Sequence, residues 1–147
     1  MRHIRLQPEA FDVAAEIAAL TRDRHEIGAV VTFTGHVRDD GGLASLTLEH
    51  YPGMTEREIA RHVDEAEARW PLQGVTVIHR IGRLVPGDAI VLVATASTHR
   101  QAAFSAAEFL MDYLKTRAPL WKEEARAGTT GWVESRTADE ETAKRWG

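Results

Sequence analysis

Between Gly74 and Pro119 the hydrophobic pattern changes period in a way that leaves little choice of fold class. Gly74 to Ile81 (Gly-Val-Thr-Val-Ile-His-Arg-Ile) is β-branched and reads as a strand, and Pro86-Gly87-Asp88 is a turn. Ala89 to Ala96 is then apolar almost throughout, as in a buried strand. Thr98 and Gln101 have the spacing of a capping box, and they open a long helix. Its apolar positions include Ala103, Phe104, Ala107, Leu110, Met111 and Leu114, and Pro119 stops it.

The rest of the chain repeats this alternation. Ile4 and Leu6 predict a short first strand, and Phe11, Ala14, Ala15, Ala18 and Ala19 recur at helical spacing. Gly28 to Arg38 is a strand, Asp39-Asp40-Gly41-Gly42 a loop, and Leu46, Leu48 and His50 alternate with Thr47 and Glu49 in a returning strand. Thr55 with Glu58 is a second capping-box pattern, and Ile59, Val63, Ala66 and Trp70 form the apolar stripe of its helix. Leu120–Arg126 and Gly131–Arg136 read as a final hairpin, and Ala138 to Lys144 as a short terminal helix. Strands come largely in pairs with helices between them. The expected class is α+β, a mixed, mainly antiparallel sheet with packed helices. With 147 residues, the length fits one domain over 1–147 with a core large enough to need no metal or disulfide staple.

Composition excludes several function classes. There is no cysteine, so this chain offers no thiolate nucleophile, no zinc–thiolate site and no persulfide. A net charge of −4 argues against bulk nucleic-acid binding. The N-terminus lacks the apolar stretch of a signal peptide and no run is long enough to span a bilayer, so a cytoplasmic protein is expected. His50 and His79 lie in strands without a neighbouring ligand set. They read as hydrogen-bonded structural histidines, and no metal site and no cofactor is expected. No phosphate-binding P-loop, dinucleotide fingerprint or serine-nucleophile motif is present.

The basic residues carry the positive signal. Of eighteen, fifteen are arginine and three are lysine, and two of those lysines, Lys115 and Lys122, flank Pro119. Lysine offers an amine whose pKa can fall far enough to exchange protons or attack a carbonyl, which arginine does not. Lys115 falls in the last turn of the long helix. Lys122 falls in a strand, sharing a face with Leu120 and Glu124, while Trp121 and Glu123 share the other. The turn at Pro119 allows both amines to meet at one pocket, where each would depress the other's pKa. His99 and Arg100 open the long helix, where cations oppose the dipole unless an anion sits between them. Arg38 ends a strand before a glycine-rich loop, with His36 on the same face and Phe33 expected in the core. These residues describe an anion pocket with two candidate catalytic lysines, and they leave open a catalyst, a Schiff-base enzyme or a non-catalytic binding module.

Six segments in one order narrow this further. They are Gly-Ala-Val-Val-Thr-Phe-Thr-Gly-His-Val-Arg (28–38), Leu-Glu-His-Tyr-Pro-Gly-Met (48–54), Val-Ile-His-Arg-Ile-Gly (77–82), Pro-Gly-Asp (86–88), Ser-Thr-His-Arg (97–100) and Asp-Tyr-Leu-Lys-Thr-Arg-Ala-Pro-Leu-Trp-Lys (112–122). Together they closely resemble the catalytic subunit family of molybdopterin synthase, from about Gly28 through Trp146. The resemblance implies an α/β hammerhead-type fold and a homodimer within a heterotetramer. The partner it implies is a small ubiquitin-like sulfur carrier whose C-terminal Gly-Gly thiocarboxylate enters the pocket. The implied reaction is sulfur transfer to cyclic pyranopterin monophosphate, giving the molybdopterin dithiolene.

By position, Lys115 and Lys122 match the family's active-site lysines. His36, Val37, Arg38, His99, Arg100, Glu123, Glu124 and Arg136 match its substrate-binding positions or stand beside them. His36 stands where many relatives have lysine, and Glu123 where a basic residue is frequent.

Overall fold

The computed structural model describes residues 1–126, 129–132 and 146. In chain order the elements are β1 (Arg2–Gln7), α1 (Val13–Thr21), β2 (Ala29–His36), β3 (Leu43–His50), α2 (Met54–Arg69), β4 (Gly74–Arg80), β5 (Gly82–Leu84), β6 (Ala89–Ser97), α3 (Arg100–Thr116), β7 (Leu120–Arg126) and β8 (Thr129–Trp132). The α+β class and the mostly antiparallel pairing hold. The strands divide, however, into two open four-stranded sheets rather than one, ordered β1-β4-β6-β2 and β5-β3-β7-β8. β1 and β4 are parallel, and every other pairing is antiparallel.

The division starts at Gly82. Its φ of 85° is a backbone conformation that suits glycine, and there the chain leaves β4 to pair with β3 as β5. Three residues are too few to announce a strand by alternation, so β5 was not legible in the sequence.

β4 and β6 are the interior strands of the first sheet and are buried on both faces, which is why neither shows polar alternation. On one face, Val75, Val77, Val91 and Val93 pack against Ile59, Val63 and Ala66 of α2 and Ala107, Leu110, Met111 and Leu114 of α3. On the other, Leu20 of α1 meets Ala94 and Ala96. A separate small core of Val37, Leu43, Leu46, Leu48 and Leu84 belongs to the second sheet. Each fully buried leucine here contributes on the order of 1.5–3 kcal/mol relative to exposure.

Both expected capping boxes resolve differently. α2 begins one residue earlier than Thr55, and the Glu56 carboxylate accepts from the Gly53 N–H at 3.2 Å. Gly53 takes the N-cap position with φ 84°, again a glycine conformation. Thr55 is fully buried. Its hydroxyl accepts from the Tyr51 N–H and donates to the Pro119 carbonyl, both at 2.9 Å. At α3 the N-cap is His99, and its side chain makes no cap hydrogen bond; the Thr98 hydroxyl donates instead to the Glu26 carbonyl at 3.1 Å. In both cases a tertiary partner outcompetes the local cap. Phe33 is also displaced from expectation: β2 is an edge strand, and the ring is 41% exposed. Arg136 and the helix expected over 138–144 lie outside the described residues.

Candidate active site

α3 sets the geometry. It starts just after β6 ends, packs on β6 and β2, and runs back along them for 17 residues. At 1.5 Å per residue, Arg100 and Lys115 therefore stand roughly 22 Å apart along one helix. β2 is antiparallel to β6, starting opposite Ser97 and ending opposite Ala89. His36, Val37 and Arg38 thus lie at the sheet end toward which α3 runs, and His99 and Arg100 at the opposite end. A single copy separates the residues expected in one pocket into two groups.

The first group gathers where α3 passes through Pro119 into β7. The buried Thr55 hydroxyl holds the Pro119 carbonyl, so the corner between the two lysines is pinned to the start of α2. Lys115 is exposed and occupies the last turn of α3, where a cation suits the helix dipole. Lys122 is half-buried and pairs with Leu48 across the second sheet, while Glu124 pairs with Leu46. Leu48 and Leu46 are core residues, so Lys122 and Glu124 share the inward face. Glu123 pairs with Thr47 on the other face, beside Trp121, whose ring meets Tyr51 edge-on at 4.6 Å. The face partition expected for β7 is present, and it turns Glu123 away from Lys122.

The charges of both lysines reach a third residue, His79. It is 6% exposed, and its Nδ1 lies 2.9 Å from the Arg80 carbonyl oxygen. Burial lowers its pKa to about 4; the hydrogen bond to Arg80 opposes that shift, and the charges of Lys122 and Lys115 add to it. Two cations from sequence-distant elements therefore act on one buried ring. The sequence reads His79 as a hydrogen-bonded structural histidine, which its contact with the Arg80 carbonyl agrees with, but gives little sign of the lysine charges that act on it. Its only signal was its place in the alternation of Val75 and Val77, which puts it on the face that α3 covers.

Apart from Arg38, the remaining residues are more tightly engaged than a free binding surface would be. Val37 is 3% exposed; its N–H donates to the Asp88 carbonyl at 2.8 Å, and its own carbonyl accepts from Gly87 at 2.7 Å. It anchors the strand end, with its side chain in the second core. His36 Nδ1 lies 3.4 Å from the Gly87 carbonyl oxygen, at a bulge in β2. Arg38 is open to solvent and forms a loose ion pair with Asp40 at 3.7 Å. Glu124 pairs with Arg126 at 2.9 Å, and Arg126 also donates to the carbonyls of Asp40 and Gly41, tying β7 to the loop after Arg38.

The second group is an open groove lined by His99, Arg100, Gln101, Phe104 and Ser105. Phe104 is 61% exposed there, an unusually bare aromatic for a helix that packs on a sheet. Among the described residues, no cluster of three or more His, Cys, Asp or Glu side chains is placed to hold a metal. No described helix is long and apolar enough to cross a membrane.

Comparison with known proteins bears on this arrangement. The family model described as MoaE protein matches residues 6–117. The chain is 61% identical over 146 residues to the molybdopterin synthase catalytic subunit of Mesorhizobium japonicum, covering 97% of this chain and 92% of that one. Among solved structures, the molybdopterin biosynthesis MoaE protein from Burkholderia ambifaria MC40-6 is similar with a TM-score of 0.86 and 48% identity, over 99% of this chain and 98% of that one. Molybdopterin synthase from Staphylococcus aureus is similar with a TM-score of 0.78 and 33% identity, over 87% of this chain and 94% of that one.

Proposed function

This chain belongs to the MoaE protein family, and on that premise we propose that it is the catalytic subunit of a molybdopterin synthase. It acts as a transferase in molybdenum-cofactor biosynthesis, and the group it transfers is sulfur. The substrate is cyclic pyranopterin monophosphate, and the product carries the dithiolene of molybdopterin. The partner is a small ubiquitin-like subunit whose C-terminal Gly-Gly thiocarboxylate delivers the sulfur. That division of labour suits a chain without cysteine, which has no thiol to relay sulfur itself.

The observation that carries this reading is the corner at Pro119, pinned by the buried Thr55 hydroxyl, which separates Lys115 in the last turn of α3 from Lys122 on the inward face of β7 by one short turn of chain. Lys115, at the exposed mouth, moves the proton at the pterin. Lys122, half-buried on the inward face, polarises the thiocarboxylate. Arg38 stands at the same end of the first sheet, free enough to take the substrate's phosphate in place of its loose contact with Asp40. A tail of two glycines fits such a corner, because without side chains it can lie against backbone.

His99 and Arg100 complete the account only through a second copy. Roughly 22 Å of helix separates them from Lys115, more than one small substrate spans. In a two-fold homodimer the helix start of one copy can face the lysine corner of the other. The exposed Phe104 beside Arg100 supplies apolar surface for that contact.

Reconstitution tests the function: purified chain, thiocarboxylated partner and cyclic pyranopterin monophosphate should yield molybdopterin. No product from a correctly assembled mixture would overturn it and favour a non-catalytic binding module. In the same assay Arg38→Ala should raise the apparent KM about ten- to a hundred-fold, the loss of one charged hydrogen-bond partner. An unchanged KM would move the phosphate elsewhere.

A further inference from the structure

Arg126 ties together two parts of the fold that lie 86 residues apart in sequence. Its guanidinium donates through Nη1 to the carbonyls of Asp40 and Gly41, the latter at 3.0 Å, and through Nη2 to the Glu124 carboxylate at 2.9 Å. Arg126, Glu124 and Lys122 pair across the second sheet with Leu43, Leu46 and Leu48, so all three stand on one face of β7. The carbonyls that Arg126 holds belong to the loop just after Arg38. Gly41 makes the contact possible. It takes φ 61°, and a Cβ added there would come within 3.1 Å of Nη1. Gly42 follows at φ 79°. Two adjacent glycines give the loop much backbone freedom to lose, so it keeps one conformation only where something outside it holds on.

We propose that Arg126 is a positioning residue for Arg38: its fork staples loop 39–42 to the β7 face that carries Lys122, and so holds Arg38 toward the lysine corner. This deepens the proposed function and rests on it, because there Arg38 takes the substrate's phosphate. Arg38 supplies little order of its own, since it is open to solvent and its ion pair with Asp40 spans 3.7 Å. Glu124 then serves as the counter-ion that aims the fork. Arginine suits the task because its planar guanidinium reaches a carboxylate and two carbonyls at once. A lysine ammonium is a single point on a flexible stem.

The test compares wild type with Arg126→Ala, Arg126→Lys and Gly41→Ala in the full chain. 15N relaxation reads the loop without substrate. The order parameters of the Gly41 and Gly42 amides should fall from about 0.85 to below about 0.6 in Arg126→Ala. Calorimetry with cyclic pyranopterin monophosphate should show Kd rising about tenfold, as when the binding arrangement of the loop drops to about one part in ten. In the reconstituted reaction the loss should appear in KM, with kcat held within about twofold. A merely structural role would lower the thermal midpoint without that split. Arg126→Lys should recover only part of the affinity. Gly41→Ala leaves β7 intact and crowds Nη1, so it should loosen Asp40 and Gly42 in the same direction. It decides the matter should Arg126→Ala fail to fold. Unchanged order parameters would overturn the staple, and a loosened loop with unchanged Kd would overturn the positioning. Full recovery by lysine would show that charge alone suffices and overturn the fork. A wild-type chain that fails to bind the pterin would sink the functional reading, while the relaxation result still decides whether Arg126 holds the loop.

Discussion

Lys115→Ala is expected to fold normally and to lower kcat by about two to four orders of magnitude, the range for losing a positioned proton-transfer group. The fold should tolerate the change because Lys115 is exposed and contributes no side chain to the core. Its favourable position in the last turn of α3 is worth only about 0.3–1 kcal/mol. Single-turnover assays with preassembled partner separate the chemical step from binding, and a thermal melt checks the fold. Lys115→Arg sharpens the result, because it keeps the cation and removes the amine able to work as a base. Activity near wild type in the alanine chain would remove Lys115 from the chemistry. Strong rescue by arginine would reduce its role to charge.

Acidification should destabilise the chain through His79, by about 3 kcal/mol in full. The ring titrates near 4 in the folded chain against an ordinary value of 6.5, so between those values the unfolded state binds more protons. Its contribution is complete above pH 6.5, is lost as the pH falls toward 4, and changes little below that. The groups behind the shift are burial first, then Lys122 and Lys115, with the Arg80 carbonyl opposing them. Burial depresses His62 in the same direction. Exposed Glu26 and half-buried Glu58 have lowered pKa values through hydrogen bonds and ion pairs, and they add acid sensitivity at lower pH. Urea unfolding at a series of pH values isolates the histidine when wild type is set against His79→Leu. The wild-type curve should fall between pH 6.5 and 4.5, and the variant's should be flatter by most of that amount. Parallel curves would show that His79 is not held neutral by its surroundings.

What the sequence disclosed and what it hid follow from the range of the interactions involved. Period and punctuation are local, so the strand Ala89–Ala96, the helix before Pro119 and the two faces of β7 were legible. β5 was hidden because three residues carry no period, and its partner β3 lies more than thirty residues back. Thr55 looked like a cap because the local pattern Thr-x-x-Glu is satisfied; its actual acceptor, the Pro119 carbonyl, is 64 residues away. The charges acting on His79 were hidden for the same reason, since Lys115 and Lys122 are far from it in sequence. The separation of His99 and Arg100 from Lys115 was legible in principle. A seventeen-residue helix cannot bring its two ends to one small ligand. Matching positions to a family says which residues meet a substrate, but not which copy supplies each.

In the proposed dimer, one pocket takes its lysines from one copy and its anion-binding helix start from another. A purified hybrid dimer tests it, with Lys115→Ala in one differently tagged copy and Arg100→Ala in the other, assayed at low substrate. Each homodimer variant should be nearly inactive. In the hybrid, one pocket receives both defects and the other receives neither, so about half of the wild-type activity should return in a two-fold dimer. If each pocket were built within a single copy, both pockets of the hybrid would carry one defect. The hybrid would then be as inactive as its parents, and the shared site would be contradicted.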